Sequence, residues 1–222
     1  MLLALDTSTA QVGLALYDGT QVLSELFWHS RAHHTRELAP ALASLMARTG
    51  VKMDEVKALG VALGPGSFTS LRVGLALAKG LALARHLPMI GIPTLDILAA
   101  AQPIRDLLLA AVLQARRGRL AVGWYRAPKN EWQAQGPATL TTAEALAQSI
   151  NVPTIVCGEL SAEERQRLAR KHKNVILPSP ARSVRHPGFL AELAWERWQE
   201  GKVDAAGSLV PIYLHEAGGV PA

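Results

Sequence analysis

The order of segments along these 222 residues repeats once, and that repeat limits the fold more than any single motif does. In the first half, residues 2–5 are a short apolar run closed by the polar turn Asp6-Thr7-Ser8-Thr9. Residues 12–17 and 22–28 read as two more strands, joined at Asp18-Gly19, a strong hairpin signal. A helix follows, capped near Thr35, with Leu38, Leu42, Leu45 and Met46 on one face. Pro40 predicts that this helix either begins close to it or kinks there. A strand over 56–63, a second helix and a strand over 89–92 complete the half. The second half runs the same way. Strands are expected over 107–113, over 120–125 and from Trp132 onward, separated by Arg117-Gly118 and Pro128-Lys129-Asn130. Thr141 or Thr142 caps a helix, 154–157 is a buried strand, and Ser161 with Glu164 forms a capping box for a helix reaching His172. A strand over 175–177 comes next. Pro187 then opens a long helix through Gly201, and residues 209–214 form an apolar extended tail. Each half is therefore three meandering strands, then helix, strand, helix, strand. The opening meander argues against a doubly wound parallel sheet. The expected division is 1–100 and 101–222, with the last helix and tail packing back on the first domain.

Within the first half, residues 64–85 are the most distinctive stretch: Gly64-Pro65-Gly66-Ser67-Phe68-Thr69-Ser70-Leu71-Arg72, then an apolar, glycine-containing run. The glycines and proline supply turn conformations, and Ser67 or Thr69 caps the helix that follows. The free N–H groups at its start suit an anion or a backbone carbonyl. The Lys-Ser/Thr ending of a Walker A loop is missing. Gly74, Ala78 and Ala82 make a small-residue stripe that lets another helix approach closely. Periodicity favours a central helix buried in its own domain over one buried partly by a second protein.

Composition excludes several classes. With 49% hydrophobic and 18% charged residues the chain supports a substantial core. The single cysteine, Cys157, rules out an internal disulfide, fits a reducing compartment and reads as a small buried apolar residue. No basic n-region precedes the first apolar run. Arg72, Lys79 and Arg85 interrupt the best candidate for a membrane span. A soluble cytoplasmic protein is expected. The formal charge of +5 is uneven: twelve Arg and Lys stand against five Glu between Arg116 and Arg185. Such a lobe can attract phosphate backbones or an acidic partner, or be an ordinary solvated surface, and no interleaved aromatics sharpen the signal.

Gly64-Pro65-Gly66-Ser67-Phe68-Thr69, an Arg and a glycine-containing apolar helix together resemble the signature of the TsaB (YeaZ) family. The resemblance also takes in Asp6-Thr7-Ser8, His34-Thr35, Ile92-Pro93-Thr94-Leu95 and Pro211-Ile212-Tyr213-Leu214, and is weakest over 126–185. Ser70 stands where the family has Gly. The resemblance implies an α/β fold of the actin-like ATPase (ASKHA) class, with two duplicated βββαβαβ subdomains. It implies a non-catalytic subunit that binds and supports a TsaD-like enzyme in making N6-threonylcarbamoyladenosine in tRNA. Homodimers and a TsaE-like ATPase are further implied partners, with tRNA reached indirectly.

In that fold the turn after the first strand of each half embraces nucleotide phosphates, which makes Asp6, Thr7 and Ser8 a vestigial phosphate turn. The bland alternative is that they satisfy backbone groups in a tight turn. The matching second turn is Gln114-Ala115-Arg116-Arg117, where the family usually has Asp, and Gln114 can be neither a general base nor a charged metal ligand. The His-x-x-x-His pair that TsaD enzymes carry after the strand matching 89–92 has no counterpart in residues 92–98. His29, His33 and His34 read as turn imidazoles rather than ligands. No catalytic residue, metal or required cofactor is expected, with weak ATP or ADP binding allowed. Family members associate through their first two helices, here 35–49 and 68–85. The resemblance thus points to Leu38, Leu42, Leu45, Phe68, Leu71, Arg72, Gly74, Leu75, Ala78, Lys79 and Ala82 as partner interface. The competing reading is a nucleotide-dependent enzyme or a peptidase of the same superfamily, which an acid at position 114 or a histidine pair near Thr94 would have supported.

Overall fold

The computed structural model describes residues 1–30, 33–171 and 173–214. The chain divides into two compact units, Met1–Ile97 with Arg185–Ile212, and a second built on Leu98–Val184. In chain order the first contributes β1 (Leu2–Asp6), β2 (Gln11–Tyr17), β3 (Val22–His29), α1 (His34–Thr49), β4 (Ala58–Ala62), α2 (Phe68–Arg85) and β5 (Met89–Ile92). The short helix α3 (Thr94–Ala100) straddles the boundary. The second unit holds β6 (Leu108–Ala115), β7 (Arg119–Arg126), β8 (Gln133–Ala134), β9 (Thr139–Thr141), α4 (Ala143–Ser149), β10 (Thr154–Gly158), α5 (Ala162–Lys171) and β11 (Val175–Ile176). Helix α6 (Pro187–Gln199) belongs to the first unit.

The two sheets have one topology. The first runs β3-β2-β1-β4-β5, with β1, β2 and β3 antiparallel and β4 and β5 joining parallel. In the second, β6 is antiparallel to β7 and parallel to β10, which is parallel to β11. The third strand of that half is split into β8 and β9, both paired to β7, where one strand is expected from Trp132 onward. Gly136 and Pro137 between them interrupt the pairing.

Alternation along the central strands sorts side chains to two faces. In the first sheet Leu3, Leu5, Leu14, Leu16, Leu59 and Val61 meet α1 and α2 through Leu38, Leu42, Leu45, Leu75, Ala78 and Ala82. Leu2, Ala4, Ala15, Ala58, Ile90 and Ile92 meet Leu190, Ala191 and Ala194 of α6 on the other. Each fully buried Leu in these layers contributes about 1.5–3 kcal/mol. In the second unit Ala110, Val112, Leu120, Val122 and Val156 pack under Leu146 and Ala147 of α4 and Leu168 of α5. Cys157 is buried there, and burial pushes its thiol up to about 12.

Local signals explain most boundaries. Asp18 Oδ1 accepts from Thr20 N and Gln21 N at 2.7 Å, closing the β2–β3 turn and lowering the Asp18 pKa. Ser67 caps α2 by accepting from Ser70 N, and Thr142 caps α4 by accepting from Ala145 N at 3.1 Å. The Ser161–Glu164 box forms, with Ser161 N donating to Glu164 Oε2 at 2.7 Å; the expected end of that helix, His172, lies outside the described residues. Helix α1 begins well before Pro40 and runs through it. Pro40 and Arg36 both lie on the exposed side, so water can serve the carbonyl that loses its helical donor. Helix α6 ends at Gln199, short of Gly201. Helix α3 was not expected: it follows Pro93 at once, and its seven residues are too few to show a helical period.

Candidate functional site

The turn after β1 is where the resemblance would place a phosphate. Its polar atoms are committed to the protein itself. Asp6, Thr7 and Ser8 are buried. Asp6 Oδ1 accepts from Ser8 N at 2.8 Å, and Asp6 Oδ2 accepts from Arg185 Nε at 2.8 Å. The Arg185 guanidinium, 1% exposed, also donates to Thr9 Oγ1 and the Gln11 carbonyl. Thr7 Oγ1 donates to the Ser70 carbonyl at 2.7 Å, and Ser8 Oγ shares a 2.7 Å hydrogen bond with Thr94 Oγ1, which accepts from Gly64 N. A carboxylate and two hydroxyls in this state do not fit a phosphate or a hydrated cation. Arg185, which falls within the basic stretch of the sequence, is instead the buried counter-ion of Asp6, 179 residues away.

The glycine-rich loop leans on the same turn. Ser67 N donates to the Ser8 carbonyl at 2.6 Å, so the helix start receives a backbone carbonyl rather than an anion. A side chain at Gly66 would collide with that carbonyl, and one at Gly74 with the Thr7 hydroxyl. Glycine is required at both places by close approach. Ser70 lies inside α2 with no positive φ, so its replacement of the family glycine costs the backbone nothing.

These contacts place much of the expected interface against its own sheet. On α2, Leu71, Gly74, Leu75, Ala78 and Ala82 share the face turned onto β1 and β4, and on α1 Leu38, Leu42 and Leu45 face the same sheet. The small-residue stripe is an inner surface, because close approach is used to seat α2 against the Thr7 turn. Of the expected residues, Phe68 and Arg72 are exposed and Lys79 is half-buried. Arg72 stacks on the Phe68 ring, its guanidinium carbon 3.6 Å from the centroid. The outer face of α2 continues through Ala76, Gly80 and Leu83, the last 79% exposed. Thr35 of α1 joins Phe68, Thr69, Arg72, Val73 and Ala76 around a shallow groove of about 460 Å³. Sequence reading missed this second stripe, since small residues occupy both sides of the helix.

The remaining candidates disperse. His34 is buried, with Nε2 3.0 Å from the Thr9 carbonyl, and His29 is exposed at the end of β3. Gln114 donates through Nε2 to Glu164 Oε2, which ties its strand to the first turn of α5. Arg165 donates to the Pro178 carbonyl and Arg167 pairs with Glu163, so part of the basic lobe is internally spent. Among the described residues no three His, Cys, Asp or Glu side chains gather as a metal site, and no helix is long and apolar enough to cross a membrane.

Comparison with known proteins identifies the family. A family model described as TsaD: tRNA N6-adenosine threonylcarbamoyltransferase matches residues 22–185. The tRNA threonylcarbamoyladenosine biosynthesis protein TsaB of Escherichia coli is 27% identical over 227 residues, covering 96% of this chain and 94% of that protein. TsaB of Bacillus subtilis is 34% identical over 125 residues; that match takes in 56% of this chain and about half, 55%, of the relative. YeaZ from Pseudomonas aeruginosa superposes with a TM-score of 0.79 at 25% identity, over 96% of this chain and 99% of that one. A ROK hexokinase from Thermus thermophilus, 13% identical with a TM-score of 0.52 over 90% and 99% of the chains, shares the fold alone and marks it as actin-like. The chain belongs to the family that the TsaD model describes and, within it, to the TsaB (YeaZ) line.

Proposed function

We propose that this chain works in the cytoplasm as a non-catalytic subunit in the formation of N6-threonylcarbamoyladenosine in tRNA, binding and supporting a TsaD-like enzyme. Names of its relatives support the pathway. One observation carries the subunit role: the turn that would serve catalysis is locked by Arg185, while the neighbouring α2 presents an exposed outer face. Phe68, Arg72, Ala76, Gly80 and Leu83 fall at helical spacing along it, and Ala76 and Gly80 are small enough for a partner helix to pack at roughly 8–10 Å. The same face serves a homodimer when the enzyme is absent, and a TsaE-like ATPase and tRNA then meet the assembled pair rather than this chain alone.

Co-purification with the cognate TsaD-like protein, followed by assay of the modified adenosine, tests the reading. Gly80→Arg and Leu83→Glu should weaken association roughly tenfold or more while the isolated chain melts as before. Full modification activity by the enzyme without this chain, or unchanged association of both variants, would refute it.

A further inference from the structure

A second cavity, of about 350 Å³, lies in the second unit and has no part in the role proposed above. It lies beyond the end of α3. Ile155 and Cys157 point to the same face of β10; Leu98 of α3 covers Cys157, with Sγ 3.8 Å from the Leu98 carbonyl, and beyond the helix end at Ala100 the buried Ile155 lines the cavity. Ile155, its parallel partner Ile176, Pro103 and Pro178 form an apolar floor. Arg105 and Arg182 stand at the rim. Among the described residues neither guanidinium has an acidic or hydrogen-bonding partner.

Gln102 adds an independent sign. It is 4% exposed and lines the cavity. Its Nε2 donates to the Arg182 carbonyl at 2.6 Å, and its backbone carbonyl accepts from Trp132 Nε1 at 3.1 Å. Its Oε1 accepts nothing among the described residues. A buried amide oxygen without a donor is costly unless a ligand supplies one. The geometry points to a binding site for a nucleoside monophosphate unit: the phosphate on Arg105 and Arg182, the base on the isoleucine–proline floor, and an exocyclic N–H donated to Gln102 Oε1. Planar guanidinium groups suit phosphate oxygens, and the volume lies within the range of small-ligand sites. A free nucleotide and a nucleotide within an RNA chain present the same chemistry.

The test titrates the full chain with AMP, with purine riboside monophosphate, which lacks the exocyclic amine, with inorganic phosphate and with single-stranded oligoadenylate. Equilibrium dialysis gives affinity and the Trp132 indole N–H resonance reports the place. AMP binding should move that resonance and weaken about tenfold or more in Arg105→Ala and in Arg182→Ala. Both positions are exposed, so melting stays unchanged. Purine riboside monophosphate should bind several-fold more weakly than AMP, and Gln102→Met should close that gap. Tighter binding of AMP assigns the site to free nucleotide; tighter binding of oligoadenylate, with the same arginine dependence, assigns it to RNA. Absence of binding by both, binding indifferent to the arginines, or displacement by inorganic phosphate as readily as by AMP overturns the proposal.

Discussion

The two units share a strand order and then treat the same topological position in opposite ways. After β1 the chain turns inward: Asp6, Thr7 and Ser8 are buried and tied to α2, α3 and the entry of α6. After β6 it turns outward, with Gln114, Arg116 and Arg117 exposed, and Arg117 in the left-handed region at φ 61°. The two sheets are also covered differently. The first has α1 and α2 on one face and the thirteen-residue α6 on the other, and Arg185 arrives at the head of α6 to neutralise Asp6. The second has α4 and α5 on one face, while Leu98 of α3 packs over Cys157 on the other. A duplicated topology therefore does not duplicate chemistry: Arg185 closes the first turn, and the second stays exposed.

Breaking the Asp6–Arg185 pair should separate the units most sharply. Arg185→Ala leaves a carboxylate buried without its cation, which costs about 3–5 kcal/mol. Asp6→Ala combined with Arg185→Met should recover most of that loss, because an apolar pair carries no desolvation penalty. Arg117→Ala, on the matching turn, should change stability by less than about 0.5 kcal/mol. Urea unfolding midpoints of the four proteins decide the matter. Equal losses for Arg185→Ala and Arg117→Ala would show that the first turn is not held by its ion pair.

The next largest effect concerns how each turn is seated. Gly74→Ala pushes a methyl against Thr7 and should cost about 1–3 kcal/mol. Gln114→Ala removes one exposed hydrogen bond to Glu164 and should cost no more than about 1 kcal/mol. Gly80→Ala, with open space beyond it, should instead stabilise α2 by about 0.5–1 kcal/mol. Thermal melts of the three variants give the order. A melt unchanged in Gly74→Ala, with association lost, would return the inner stripe to an interface role.

How much of this could be read from sequence depends on the range of the signal. Caps at Ser67, Thr142 and Ser161 are local, and so are legible within four residues. The duplicated strand order shows because periods of two persist over each strand. Which face of α2 turns inward does not show, because Gly74, Ala78 and Ala82 are no more apolar than Ala76, Gly80 and Leu83 across the helix. Arg185 was invisible for a different reason. It sits between elements, in Ser183-Val184-Arg185-His186, with no period to place it, and its partner is at the other end of the chain. The cavity beside Ile155 begins where α3 stops, which seven residues are too few to announce.

The smallest effect tests the cost of covering the first sheet twice. Glu192 lies half-buried on α6; burial raises its pKa, and Glu196 and Glu25 add to the shift. A carboxyl whose folded pKa lies above its unfolded value holds its proton more tightly in the native state. Its contribution to stability is thus complete below the ordinary carboxylate range and is lost as pH rises through the raised value. Near pH 7 the side chain is a partly desolvated charge beside two others. Glu192→Gln should then stabilise the protein by a few tenths of a kcal/mol, roughly 0.3 after allowance for solvent screening. The gain should vanish towards about pH 3, below the ordinary carboxylate range, where folded and unfolded states both hold the proton. Parallel urea titrations of the two proteins at both pH values read the difference directly. A gain of the same size at both would assign it to packing or helix propensity, and the charge on α6 would cost the first unit nothing.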